Sequence, residues 1–355
     1  NATPKLVWEY FESEEAYASY LTTLALATHP EVTIEGNAAI GNDVYGGGER
    51  GITKGSVIVN INGGTITRDV YGGGALADTN TTSSTMIDPD TGESTNTIHT
   101  VHPTTTVNLH GGIIGHNVFG GGLGSKPTAT DPDAPSIAPL VYGNILVNLN
   151  ENTTDDCIVK GVLHGANNYN GSPKSNVTVH VFKTQGWTDD NGTPNDNSDD
   201  VSHVVVDKSA PDAERTNTIF ELKAVYGGGN EATCEPTEST SVANVIIDGC
   251  DLTSIETVYG GGNAASVPGT NVVVNSCYEI GTLFGGGNGK DNLGDGTANP
   301  GANVGYKADG TTAYGTGEAL AELRGGTIHS AFGGSNTKGN VRVRGEVTLN
   351  EATNG

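Results

Sequence analysis

Positive charge is scarce in this 355-residue chain: 17 lysines and arginines stand against 41 aspartates and glutamates, a formal net charge of −24. Such a surface repels nucleic acid and anionic membrane, and no cluster of basic residues offsets it. It suits solubility, cation binding or a neutral glycan partner. Apolar residues are also few, at 34%, below what a conventional globular core uses. No run of about 18 apolar residues occurs, so no membrane-spanning segment is expected. Cysteine is limited to Cys157, Cys234, Cys250 and Cys277, and the lack of any CxxC pair argues against a zinc site or a thioredoxin-like motif. HExxH, GxSxG and P-loop motifs are missing too. The start, Asn1-Ala2-Thr3-Pro4-Lys5, does not look like a signal peptide, and the end, Glu351 to Gly355, follows directly on a strand-like run. The chain therefore reads as a piece of a longer exported protein.

What is abundant is glycine, with 53 residues, and it recurs in register. The clear copies are Val44-Tyr45-Gly46-Gly47-Gly48, Val70-Tyr71-Gly72-Gly73-Gly74, Val118-Phe119-Gly120-Gly121-Gly122, Val225-Tyr226-Gly227-Gly228-Gly229, Val258-Tyr259-Gly260-Gly261-Gly262 and Leu283-Phe284-Gly285-Gly286-Gly287. Degenerate copies stand at Val162-Leu163-His164-Gly165-Ala166 and Ala331-Phe332-Gly333-Gly334-Ser335. Successive copies are 26, 48, 44, 63, 33, 25 and 48 residues apart. The shortest spacing is the bare repeat, and it suits one turn of three short strands; longer spacings carry insertions. Ahead of the corners, stretches such as Val57-Ile58-Val59-Asn60-Ile61-Asn62-Gly63-Gly64-Thr65-Ile66 alternate apolar and polar residues, the mark of a strand with one buried face. The Gly-Gly pair then permits a sharp bend.

These signals predict an all-β chain: a right-handed parallel β-helix (β-solenoid) of about eight coils, residues 32–355, with loop insertions near 78–104, 124–139, 184–218 and 288–316. Residues 1–31 are expected to form an N-terminal cap. Within it, residues 13–27 read as an amphipathic helix, with Ser13 as N-cap and Ala16, Tyr17, Tyr20, Leu21 and Leu24 on one face. Such a helix would cover the open end of the stack.

Tyr45, Tyr71, Phe119, Tyr226, Tyr259, Phe284 and Phe332 share one repeat position. Stacked coils would set them about 4.8 Å apart, either as an exposed stripe that stacks on sugar rings or as a structural ladder. Leu163, aligned to the same position in a degenerate copy, favours the ladder. Asn167, Asn230, Asn263, Asn288 and Asn336 follow the corners, where stacked amides can hydrogen-bond from coil to coil. Cys250 and Cys277 should lie near one another in successive coils, as core thiols or, under oxidising conditions, as a disulfide. Residues 286–293 match a calcium-binding nonapeptide pattern once, without the tandem copies such sites need. No cofactor is expected; Ca2+ at Asp291 and Asp295 is the one candidate metal site.

The Val-Tyr-Gly-Gly-Gly-Asn corner and its Gly-Gly-Thr-Ile partner resemble the glycine-rich repeats of large surface proteins from gut bacteria. Gly63 to Ile66, Gly325 to Ile328 and Gly111 to Ile114 also resemble one half of the repeat of polymorphic outer-membrane adhesins, without its FxxN half. The resemblance covers about residues 32–350. It implies an exported, cell-surface location and an adhesin-like role, with loops presented to a glycan or a host or cell-surface protein. The alternative is a polysaccharide lyase or glycoside hydrolase on a β-helix scaffold. No paired-acid constellation like that of pectin hydrolases appears, since Asp155-Asp156 and Asp199-Asp200 fall in insertions.

Overall fold

The computed structural model describes residues 13, 27–81, 83–87, 94–98, 103–127, 131–191, 197–204, 219–293, 296–299 and 301–350. Two parallel sheets organise the chain. The larger has 11 strands, running Glu31–Ile34, Val57–Ile66, Thr104–Ile114, Asn144–Leu149, Val177–Val181, Ala243–Ile247, Thr270–Val274, Glu318–Leu323 and Arg344–Leu349, with Ala39–Ile40 and Ile158–Val159 paired alongside. The smaller has 8, running Val44–Tyr45, Val70–Tyr71, Val118–Phe119, Val162–His164, Leu222–Tyr226, Ser254–Tyr259, Glu279–Phe284 and Thr327–Phe332. The spatial order of strands in each sheet follows their order in the chain, so residues one repeat apart are neighbours.

The period-2 alternation explains which face is buried. Val32, Val59, Val107, Val147, Val179, Val245, Val272, Ala321 and Val347 are register partners across the large sheet. Two residues on, Ile34, Ile61, Leu109, Leu149, Val181, Ile247, Val274, Leu323 and Leu349 form a second column. From the small sheet, Val44, Val70, Val118, Leu163, Val225, Val258 and Leu283 face these columns in the same core. Each fully buried Val, Leu or Ile contributes about 1.5–3 kcal/mol, so a modest apolar content is used economically. A third, shorter side is marked by the parallel bridges Thr79–Val141 and Val267–Val304–Val341 and by Leu140–Val141 against Ser172–Pro173.

That third side revises the insertion limits. Thr79 and Val304 belong to the stack, because their backbones pair with neighbouring repeats. The predicted insertion 288–316 is therefore two excursions on either side of a buried turn at Ala302–Val304. The protruding segments double back antiparallel: Ser83–Ile87 on Ser94–Ile98, Trp187–Asp189 on Val201–His203, and Ser125 on Ile137. The body of the expected capping helix, residues 14–26, lies outside the described residues. At its predicted end, Ala27 is not helical: Ala27–Thr28 pairs with Thr53–Lys54, and the His29 N–H donates to the Lys54 carbonyl. The sheet supplies these backbone groups with partners a helix end would lack. Parallel pairing thus crosses the expected boundary at 31/32. Among the described residues the only helical element is the 3-10 turn Cys250–Leu252, and no helix is long and apolar enough to cross a membrane.

Glycine is required at the first position of the triplet by close approach. A Cβ on Gly120 would lie 2.3 Å from the Gly165 carbonyl oxygen and 2.4 Å from Ile145 Cγ2; on Gly227 it would lie 2.2 Å from the Gly260 oxygen. In the Gly-Gly bend the second residue needs a positive φ, 83° at Gly112. Gly120→Ala is expected to cost about 1–3 kcal/mol or more through overpacking. Gly334→Ala, where a Cβ meets nothing within 4 Å, should change stability by less than about 0.5 kcal/mol. Urea unfolding followed by circular dichroism checks the contrast.

Candidate functional site

All seven predicted aromatics lie in one column. The stacked rings run Tyr45, Tyr71, Phe119, His164, Tyr226, Tyr259, Phe284, Phe332, with centroids 4.6–5.2 Å apart and planes within 14° of parallel. The fourth ring is His164, not Leu163. Leu163 pairs with Val118 and points into the core, so the degenerate copy is aligned one residue later than its sequence suggested. The same shift puts Asn168, not Asn167, into the amide ladder. Asn230, Asn263, Asn288 and Asn336 each donate from Nδ2 to the Oδ1 of the preceding member, beginning at Asn168, over 2.8–3.0 Å. Asn167 is buried and donates instead to the carbonyls of Pro139 and Asn170.

This column does not supply an exposed stripe for sugars. Interior rings cover one another's faces and are buried, and only the terminal Phe332 is widely open, at 51% exposure. The tyrosine hydroxyls are engaged as well. Tyr71 donates to Asp69 and accepts from Asn168, and burial, then the Asp69 carboxylate, pushes its phenol far up.

Asp291 is exposed, Asp295 lies outside the described residues, and Gly286–Gly287 are spent on the corner that stacks against its neighbours. No group of three His, Cys, Asp or Glu side chains suited to a metal occurs among the described residues. The cysteines are free thiols. Cys277 is buried, but Cys250 is exposed in the turn at φ 50°, so the two do not share the core. Burial raises the Cys234 thiol to about 12.

The side chains with unspent binding capacity collect where insertions leave the stack. Ser125 and Ile137 exchange two hydrogen bonds of 2.9 Å. This closes the excursion after the third corner and sets Lys126 against Glu231, two layers away, at 3.1 Å. Tyr169 and Glu231 both follow a ladder asparagine and so occupy equivalent positions on adjacent layers; Tyr169 is 44% exposed. Opposite them stands the excursion that ends in Asn299 and Gly301. The result is a cleft of about 400 Å³ lined by Lys126, Tyr169, Lys174, Glu231, Glu235 and Asn299, among others.

The polar groups of this cleft fall into two sets. Glu231 is committed to Lys126, and Glu235 accepts the Ala308 N–H at 3.1 Å, pinning the next excursion. Lys174 donates to the Glu235 carbonyl at 3.0 Å, which leaves N–H donors to spare. Asn299 is 2% exposed; its Oδ1 accepts the Gly301 N–H, while its Nδ2 has no partner among the described residues. A buried amide donor without an acceptor costs about 1–3 kcal/mol, a cost that an oxygen acceptor placed in the cleft would relieve. Burial and the Glu231 carboxylate raise the Tyr169 phenol, keeping it a neutral donor and a flat apolar face. Glu231 and Glu235 are thus engaged as structural partners. Sequence reasoning missed all six residues. The position of Tyr169 and Glu231 after the ladder asparagine is the one signal available; no period fixes the path of the insertions that bring Lys126 and Asn299.

No protein-family model, no curated protein and no solved structure matches this chain.

His164, wholly within the ring column, is held neutral: burial, with a smaller contribution from Lys290, lowers it to about 3. In the unfolded chain a histidine titrates near 6.5. The stability this implies is complete above about pH 6.5 and is lost as pH falls towards 3, at up to about 1.4 kcal/mol per pH unit. His164→Phe, which keeps the stack, should therefore lose less melting temperature than the parent between pH 6.5 and 4. Parallel melting curves against pH would show that His164 carries no such linkage.

Proposed function

We propose that this chain is a right-handed β-solenoid of about eight coils, part of an exported cell-surface protein of adhesin-like role, and that it holds a glycan in the cleft at Tyr169. The observation that carries the reading is the conjunction at that cleft of a half-exposed aromatic ring, spare ammonium donors on Lys174 and the unpartnered buried amide of Asn299. Sugars present hydroxyl acceptors around C–H faces that pack on aromatic rings, and pockets that take small ligands combine apolar walls with a few fixed polar groups. The in-register parallel strands support the solenoid, and the resemblance of the glycine corners to surface-protein repeats supports the location. A proteinaceous host partner is the second candidate for the same loops. The engagement of Glu231 and Glu235 disfavours hydrolysis, which needs two carboxylates free to exchange protons.

A glycan array probed with the chain is expected to yield bound oligosaccharides, and incubation with them should release no reducing ends or unsaturated products. Tyr169→Ala should weaken binding by about fivefold or more, the loss of one buried-aromatic anchor, with the melting temperature unchanged. Binding that survives Tyr169→Ala, or an array without hits, counts against this site. Product release would instead make the chain an enzyme.

A further inference from the structure

A second cleft of about 400 Å³ lies beside the small sheet, lined by Lys160, Trp187, His203, Phe220, Lys223 and Glu256, among others. The excursion that forms it is firmly attached. Trp187 and His203 sit on paired antiparallel strands and stack at 4.2 Å. The indole Nε1 donates to the Glu221 carbonyl at 3.2 Å, and His203 Nδ1 lies 3.3 Å from the Phe220 carbonyl. The Glu221 carboxylate is buried and spent on structure, since it accepts the Thr184 hydroxyl, whose oxygen in turn accepts the Ser254 N–H.

Two lysines line this cleft. Lys160 and Lys223 stand on adjacent layers, because Val162 pairs with Ala224. Neither has a carboxylate within 4 Å among the described residues, although acids outnumber bases 41 to 17. Lys160 instead rests over the Trp187 ring, 4.9 Å from its centroid. Glu256 continues the row on the next layer, flanked by the pairs Leu222–Ile255 and Ala224–Thr257. Along the rim, Val201 and Ile219 expose 46% and 38% of their surface, beside the half-buried Phe220.

We infer that this cleft binds a uronic acid residue of an acidic polysaccharide. The sugar carboxylate lies between the Lys160 and Lys223 ammoniums, the ring's C–H face packs on Phe220 and Ile219, and Glu256 accepts a sugar hydroxyl. Two ammoniums on adjacent layers, neither within 4 Å of a carboxylate among the described residues, fit a carboxylate, whose two oxygens take charge-assisted hydrogen bonds from both. The apolar rim selects a ring over a small ion. The site shares no lining residue with the Tyr169 cleft and does not depend on it.

Trp187 makes the test direct, because the chain has two tryptophans and Trp8→Phe leaves Trp187 as the single indole. Titration of that protein with tri-galacturonate is expected to change the indole emission saturably as the ammonium is drawn off the ring, while neutral galactotriose leaves it unchanged. Lys223→Gln and Lys160→Gln should each weaken binding by about tenfold, with near-ultraviolet dichroism reporting that the fold persists. Tyr169→Ala should leave this titration unaltered, which separates failure here from failure of the other cleft. A flat emission, an equal response to galactotriose, acetate or an oligo-glutamate peptide, or an affinity indifferent to both lysine substitutions would overturn the assignment.

Discussion

Every layer of this protein is held at the separation of two hydrogen-bonded parallel strands, about 4.8 Å, and whatever a repeat position carries must tolerate a copy of itself at that distance. Apolar side chains do so readily, which is why the valine and leucine columns fill the core. Flat rings do so face to face, from Tyr45 to Phe332. Amides do so by donating to the preceding amide, from Asn336 back to Asn168. Charged groups do not, and like charges one layer apart are rare along the columns. Where Asp43 and Asp69 stack, each spends an oxygen on the backbone N–H of the next layer.

The same spacing accounts for the glycines. The chain turns its corners with backbone resting on backbone, and the carbonyl of one layer occupies the place where a Cβ of the layer below would stand. Glycine there records contact between layers, whereas in the Gly-Gly bend it records a positive φ. A single residue type serves two physical needs, and the repeat is recognisable because the triplet recurs in six copies and the bend in three.

Unsatisfied polar groups are displaced from the regular columns for the same reason. A column satisfies its own faces and hydrogen bonds, so the rings and amides that dominate the sequence have little left to offer a ligand. Unspent groups survive where the period is broken. Tyr169, Lys174 and Asn299 collect at one departure from the stack, and Lys160 and Lys223 at another. Both clefts join a residue fixed by the repeat to one delivered by an insertion.

The alternation around Val59 and Val107, the glycine corners and the 25- or 26-residue minimum spacing carried the layered parallel architecture and the ring column in the sequence itself, because a side chain that stacks on its own kind leaves a periodic trace. The degenerate copy at 162–166 shows where that trace thins: with two of the three glycines missing, sequence alone favoured Leu163 over His164, and only the hydrogen-bonded register chose between them. The course of the insertions was likewise settled in three dimensions. Their residues answer to no period, and the ion pair of Lys126 with Glu231, the seat of Lys160 over Trp187 and the strand at Ala27 depend on contacts between segments far apart in the chain.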